Sequence, residues 1–320
     1  MKKIKVSCIS GGLKLVPDHC SRSIRARIAV HPCYSEEASL NFARMHLPVA
    51  PVCNVQCTYC NRKYDCVNES RPGVTSRVLS PEDALSMVIS VKQRLPRLRV
   101  VGIAGPGDPL ANPDKTFRTF ELIRDKVQDV ILCLSTNGLT LIDHIERIKE
   151  LSIGHVTVTI NMVNPETGKR LYKFIKLNGK RYMHEEASNI LMERQLAGLK
   201  MLKEAGVLCK INSVLIPGIN DKDLVEVSKR VKDSGAFIHN IIPYIPCEGS
   251  FLEAMRQRRP SVQEVKELNE RCGGNMKMMR HCRQCRADAV GFLEDSNSTP
   301  QRRRDTESNI FYSAPQRLCG

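Results

Sequence analysis

A chain of 320 residues with a formal charge of +15, 14 cysteines and no tryptophan has ample length for one large α/β domain or two smaller ones, and no stretch approaches a membrane span. Its opening, MKKIKVSCISGG, lacks a signal-length apolar run, so a cytoplasmic protein is expected, in which clustered cysteines indicate metal rather than disulfides. The charge is spread out apart from Arg302–Arg304, and aromatic residues make up only 5%, which disfavours a nucleic-acid partner and favours a solvated basic surface.

Residues 1–18 carry a weak apolar pattern and Cys8, with no chemistry assigned. His19-Cys20 and His31-Pro-Cys33 follow, separated by a basic segment from Arg22 to Arg27. Leu47–Val52 reads as a short buried strand that delivers a cysteine-rich loop from its C-terminal end, where α/β barrels keep their active sites. Ser80-Pro-Glu-Asp opens a helix, with a capping serine, proline in the first turn and acids beside it. Further strands are predicted at 98–104, 129–135, 155–160, 208–215 and 237–245, and a helix at 187–205 closes on Gly206. Counting the cysteine-loop strand, six strand–helix repeats predict a partial (β/α)6 TIM-type barrel of the α/β class with N- and C-terminal extensions.

The expected organisation is an extension over 1–45, the barrel over 46–245, a second extension over 246–294 and a disordered tail over 295–320. The second extension begins its helix with the capping box Ser261-Val-Gln-Glu264, and Cys319 falls in the tail as a free thiol.

The chemistry centres on Cys53, Cys57 and Cys60, spaced C-x3-C-x2-C on one loop, with Tyr59 before the last cysteine. Three thiolates so close suit a four-iron cluster and leave one iron open to a small molecule. A zinc knuckle is the alternative, although structural zinc takes four protein ligands, usually from paired C-x2-C units. Cys282 and Cys285 form one such pair, flanked by arginines, and half of a zinc site is the competing reading there. Cys133 on a strand is equally a small buried hydrophobe, and His46 at the start of the first strand equally a core or surface histidine. Gly105-Pro106-Gly107-Asp108-Pro109 is composed like an ordinary turn. Glu69 and Arg71 stand in a Gly/Pro-bounded loop beside Cys66 and read first as a solvated turn.

The cysteine triplet resembles the signature of the radical S-adenosylmethionine (SAM) superfamily, whose open iron chelates SAM. The motifs around it resemble those of the NifB family: His31-Pro-Cys33-Tyr-Ser-Glu-Glu, Phe42-Ala-Arg-Met-His46, the segment Cys60–Gly73, and His281–Gly291 with its C-x2-C pair. The likeness runs from about residue 19 to 291. It implies a radical SAM enzyme that builds the iron–sulfur–carbide precursor of the nitrogenase cofactor. One SAM then donates a methyl group to a cluster sulfide and a second yields a 5′-deoxyadenosyl radical that abstracts hydrogen from it. The carbon ends as a central carbide while two four-iron clusters, K1 and K2, fuse with an added sulfur.

The implied cofactors are SAM and three 4Fe–4S clusters, one at the triplet and two auxiliary. The six further ligands that the resemblance calls for are Cys33, His46, Cys66, Cys133, Cys282 and Cys285. Gly105, Pro106, Gly107 and Asp108 resemble the loop that takes the SAM amino group through backbone carbonyls, and Tyr59, Ser135, Asn137, Asn161, Asn212 and Ser213 are candidate SAM contacts. Glu69 and Arg71 are the candidate catalytic pair, relaying protons or holding sulfide. Implied partners are iron–sulfur cluster donors and the carrier and scaffold proteins of the nitrogenase cofactor. The form expected is a stand-alone one without a fused carrier domain. Two rivals remain: a radical SAM enzyme acting on RNA or a small-molecule precursor with a single auxiliary cluster at Cys282 and Cys285, and a zinc protein binding nucleic acid.

Overall fold

Alternating apolar strands and amphipathic helices curl into a half-barrel in the computed structural model, which describes residues 22–293. The segment before Arg22, with Cys8 and Cys20, and the expected tail with Arg302–Arg304 and Cys319 lie outside the described residues. Six strands run parallel in the order β1 (Ala43–Ala50), β3 (Leu98–Pro106), β4 (Ile131–Thr136), β5 (His155–Thr159), β8 (Leu208–Leu215) and β9 (Ile238–Pro243), matching the six predicted ones. The short β10 (Val290–Gly291) adds antiparallel to β1 at one edge. Helices α3 (Pro81–Arg94), α4 (Pro113–Lys126), α5 (Ile145–Glu150), α6 (Pro165–Leu171), α7 (His184–Glu204) and α8 (Asp223–Asp233) connect the strands. Ser80 caps α3 by accepting from the Asp83 amide, as predicted, and the Ser261–Glu264 capping box starts α10 (Val262–Gly273). Among the described residues no helix is long and apolar enough to cross a membrane.

Side chains of a strand alternate between faces, and here the two faces differ sharply. The outward face is apolar: Met45, Leu47, Val101, Ile103, Leu134, Val156 and Ile211 join Val88 of α3, Phe120 of α4 and Val227 of α8 in the main core. The inward face is polar. The register sets His46 beside Gly102, Cys133 and His155 in one layer; Ser135, Thr157 and Lys210 follow in the next, then Thr159, Asn212 and Asn240. Barrel interiors are usually filled by branched apolar residues, so a polar interior indicates a chamber built to hold something.

The sequence reading missed a second sheet. Strand β2 (Val55–Cys57) pairs with β6 (Tyr172–Leu177), which forms a hairpin with β7 (Lys180–Tyr182). Asn178 and Gly179 turn that hairpin at φ of 50° and 76°, the left-handed pair that two-residue hairpins favour. The signal, Asn-Gly between alternating apolar residues, was present in the sequence. The hairpin holds the cysteine loop, since the Lys176 amide donates to Asn54 O at 2.7 Å and the Thr58 amide to Leu171 O at 2.8 Å.

Both extensions pack on the barrel. Helices α1 (Arg22–Ala29) and α2 (Glu36–Asn41) close its lower end: the Tyr34 hydroxyl donates to Leu208 O at 3.1 Å and Arg27 to Gly206 O at 3.1 Å. Beyond α9 (Phe251–Ala254) and α10, the second extension runs along β1, where the His46 amide donates to Ala289 O at 2.8 Å.

Candidate functional site

Two cavities stack along the barrel axis. The upper one lies at the C-terminal ends of the strands and is lined by Cys53, Cys57, Cys60 and Cys66. Its geometry comes from pinning the cysteine loop to the loop after β3. The Gly107 amide donates to Ala50 O at 2.5 Å, while the Asp108 amide and Asn112 Nδ2 both donate to Val52 O at 2.8 Å. A Cβ on Gly107 would stand 2.1 Å from Val52 O, so only glycine allows this approach. Arg62 braces the loop by donating to Pro51 O at 2.8 Å and Pro106 O at 3.2 Å, and its guanidinium faces Cys53, Cys66 and Cys60. Burial pushes the Cys53 thiol up to about 12 and lifts Cys57, Cys60 and Cys66 as well, so these sulfurs stay protonated until a metal displaces the proton.

The lower cavity lies inside the barrel and gathers Cys33, His46, Cys133, Cys282 and Cys285 from four separate segments. Gly102 makes room there, because a Cβ at that position would sit 3.3 Å from the His46 ring and 3.5 Å from Cys133. His46 Nδ1 stands 3.1 Å from Arg286 O. A carbonyl only accepts, so Nδ1 carries the proton and Nε2 keeps the lone pair that a metal ligand needs. Burial, followed by the Arg44 charge, lowers His46 to about 4 and keeps the ring neutral. Arg44 is buried and donates to Cys285 Sγ at 2.9 Å. Burial raises the thiols of Cys33 and Cys282, and Cys133 to about 12. Lys210 stands among them; burial disfavours its charge, but Cys33, Glu69, Cys282 and Cys133 outweigh burial and raise it.

Asn68, Glu69 and Ser135 line both cavities and form the partition between them. Glu69 Oε1 accepts from Asn212 Nδ2 at 3.1 Å, and Asn212 accepts in turn from Asn240 at 3.1 Å. Burial lifts the Glu69 carboxyl from 4.5 to about 7, against the opposing pull of Lys210 and of hydrogen bonds from Asn212 and Ser135.

The structure brings the triplet together and collects five of the six further candidate ligands in the lower cavity. Cys66 stands instead with the triplet, and its amide donates to Pro106 O at 2.8 Å. Among the described residues no three of His, Cys, Asp or Glu close on a single metal ion. Gly107, Asp108, Ser135 and Asn137 line the upper cavity and Asn212 the lower one. The Asp108 carboxylate is engaged, accepting from Leu110 N at 2.9 Å, Thr136 Oγ1 at 3.0 Å and Asn137 N at 2.5 Å, so it braces its loop. Asn137 Nδ2 donates to Asn54 Oδ1 at 2.7 Å.

Tyr59, Asn161, Ser213, Gly105, Pro106 and Arg71 line neither cavity. Tyr59 is fully buried, donating to Asn68 Oδ1 at 3.1 Å and accepting from Asn161 Nδ2 at 2.6 Å; it acts on the site through Asn68. Ser213 contacts Ile160 O and His239, and Arg71 reaches Arg283 O at 3.4 Å from the rim. The sequence reading missed Arg44, Arg62, Lys210, Asn240 and His31. Arg44 and Lys210 each stand two residues before a named candidate on the same strand face, which is the signal that identifies them.

The chain matches the Radical SAM superfamily over residues 47–231. It is 55% identical over 296 residues to the FeMo cofactor biosynthesis protein NifB of Herbaspirillum seropedicae, covering 92% of this chain and 56% of that one. It is 57% identical over 276 residues to the protein of the same name from Frankia alni, covering 84% and 54%. The chain thus spans about half the length of the curated relatives it matches. Among solved structures, methylornithine synthase (PylB) superposes with a TM-score of 0.54 at 12% identity, covering 81% of this chain and 71% of that one, a likeness of fold.

Proposed function

The chain belongs to the radical SAM superfamily, and from that premise we propose that it assembles the iron–sulfur–carbide precursor of the nitrogenase cofactor. The observation that carries this reading is the second sulfur-lined cavity directly beneath the first, with Glu69 and Ser135 facing both. A radical SAM enzyme with an ordinary organic substrate has no need of four cysteine sulfurs and an imidazole in its substrate chamber. The likeness to NifB proteins supports the same conclusion.

In this reading Cys53, Cys57 and Cys60 hold the family's 4Fe–4S cluster, and Arg62 balances its charge. That cluster, when bound, supplies the electron that cleaves SAM at its open iron. Asn137 and the pinned loop at Gly107 shape the SAM side of the upper cavity. The substrate is the pair of clusters K1 and K2, held by Cys33, His46, Cys133, Cys282 and Cys285, with Cys66 approaching from the upper cavity. They fuse with an added sulfur and one SAM-derived carbon, which ends as carbide.

Glu69, poised near neutral pH at the partition, accepts a proton as the carbon loses hydrogen. Arg71 ties the Cys66 loop to the Cys282–Cys285 segment through Arg283. The proposed partners are cluster donors upstream and cofactor carrier and scaffold proteins downstream. The reading is tested by counting iron and sulfide on anaerobically purified protein before and after SAM. About twelve irons per chain, rearranging into an eight-iron product on SAM addition, are expected. A plateau near eight irons with no rearrangement favours the single-auxiliary-cluster rival instead.

A further inference from the structure

Lys210 occupies an unusual position. It projects from the centre of β8 into the lower cavity, is 7% exposed, and has no hydrogen bond or ion pair among the described residues. A buried ammonium with three unused donors is costly unless an acceptor arrives. His31 presents a second unused donor. Its Nδ1 accepts the Cys33 amide at 3.1 Å, so in the neutral ring Nε2 bears the hydrogen. That Nε2 is buried without a partner, although His31 lines the same cavity. Its ring is packed against those of Tyr34 and His155, with centroids 4.8 and 4.3 Å away.

We infer that Lys210 and His31 form a hydrogen-bond donor pair that grips the bridging sulfides of the iron–sulfur cargo, on the side that the cysteine and histidine ligands leave bare. The inference rests on the proposed function, because it needs a cluster in the lower cavity. Ligands hold the irons; of the other cations lining the cavity, Arg44 is committed to Cys285 Sγ and Phe292 O and Arg283 is exposed, which leaves Lys210 as the buried cation with donors to spare. Hydrogen bonds from a cation to sulfide strengthen retention and raise a cluster's reduction potential. The grip also suits a cargo that must leave, since a donor releases sulfide without breaking an iron–ligand bond. Lys210 and His31 are thus positioning residues that orient the cargo beneath the partition.

The test uses the full chain reconstituted with iron and sulfide. In Lys210→Met, chelator-driven iron loss from the lower cavity should quicken roughly tenfold to a hundredfold, the range expected for losing a hydrogen bond to a charged group. The auxiliary potential should move to more negative values, while the triplet retains its iron and its spectrum. Lys210→Arg, which keeps charge and donors, should stay near wild type in retention. His31→Asn keeps an acceptor for the Cys33 amide but removes the Nε2 donor, and should quicken loss severalfold; it carries the test alone if Lys210→Met fails to fold. Unchanged retention and potential in both Lys210→Met and His31→Asn, with wild type holding its auxiliary iron, overturns the donor pair and leaves the proposed function standing. A wild-type protein that holds iron only at the triplet overturns both.

Discussion

The two cavities are built by opposite strategies. The upper one takes its sulfurs from one continuous stretch, Cys53 to Cys66, and needs the fold only to pin that stretch. The lower one takes one or two candidate ligands from each of four segments spread between Cys33 and Cys285, so it exists only once the barrel and both extensions are assembled. A contiguous site can be read from spacing because neighbours in sequence are neighbours in space. A dispersed site cannot, because its ligands become neighbours only through strand register and docking of the extensions. The difference also predicts that damage to one cavity should spare the other.

The largest effect expected is on the upper site. Cys57→Ala removes the central thiolate of the triplet and should abolish SAM cleavage, with 5′-deoxyadenosine falling to background. Iron in the lower cavity should persist, because its ligands come from other segments. Normal 5′-deoxyadenosine in that variant would separate the triplet from SAM chemistry altogether. Cys282→Ala and Cys285→Ala are the converse. Each should lose auxiliary iron and the eight-iron product yet keep SAM binding, as followed by iron analysis and SAM titration. Truncating Cys285 also leaves the buried Arg44 guanidinium without its sulfur partner, so that variant should be the less stable of the two.

How much of this was legible follows from the same contrast. The six parallel strands, the capped helices at Ser80 and Ser261 and the triplet were readable because each is set by local pattern. Cys33 and Cys133 entered through resemblance, and only the register, with Cys133 beside Gly102 and His155, explains why they meet. Lys210 and Arg44 escaped notice because a cation in a strand usually points to solvent, and here the strand's polar face is the inside. Tyr59, Asn161 and Ser213 were read as contacts because they sit beside the triplet or at strand ends. The structure places them in buried hydrogen-bond networks outside the linings of both cavities. The hairpin behind the cysteine loop was missed although Asn178-Gly179 marks it.

His46 sharpens the comparison, being the one nitrogen candidate in a cavity of sulfurs. With Nδ1–H held by Arg286 O, its Nε2 is a neutral donor that releases iron more readily than thiolate does. His46→Ala should weaken occupancy of the lower cavity and block the eight-iron product while SAM cleavage stays measurable. His46→Cys should restore iron content without restoring turnover, because a thiolate holds the cargo too firmly. Wild-type product formation in His46→Ala would make His46 an ordinary barrel histidine.

The smallest effect expected concerns the partition, where the two cavities share Glu69. Its carboxyl rises from 4.5 to about 7 in the folded protein, chiefly because burial disfavours the charge. Between those values the folded chain holds a proton that the unfolded chain has released. The contribution of Glu69 to stability therefore falls as pH rises across that window, the reverse of the usual carboxylate behaviour. The full rise corresponds to at most roughly 3 kcal/mol, and water in the two cavities should screen it to about 1–2 kcal/mol. The buried histidines His31, His46, His155 and His239, all held below the ordinary histidine value, add a rise of the opposite sign up to about pH 6.5. The Glu69 share is therefore read as the difference between wild type and Glu69→Gln in denaturant titrations of the iron-free protein, and that difference should decline from pH 5 to 7. The triplet cannot produce the slope, because burial keeps its thiols protonated throughout the window. An unaltered slope in Glu69→Gln would locate the titrating group elsewhere and remove Glu69 as the proton acceptor between the cavities.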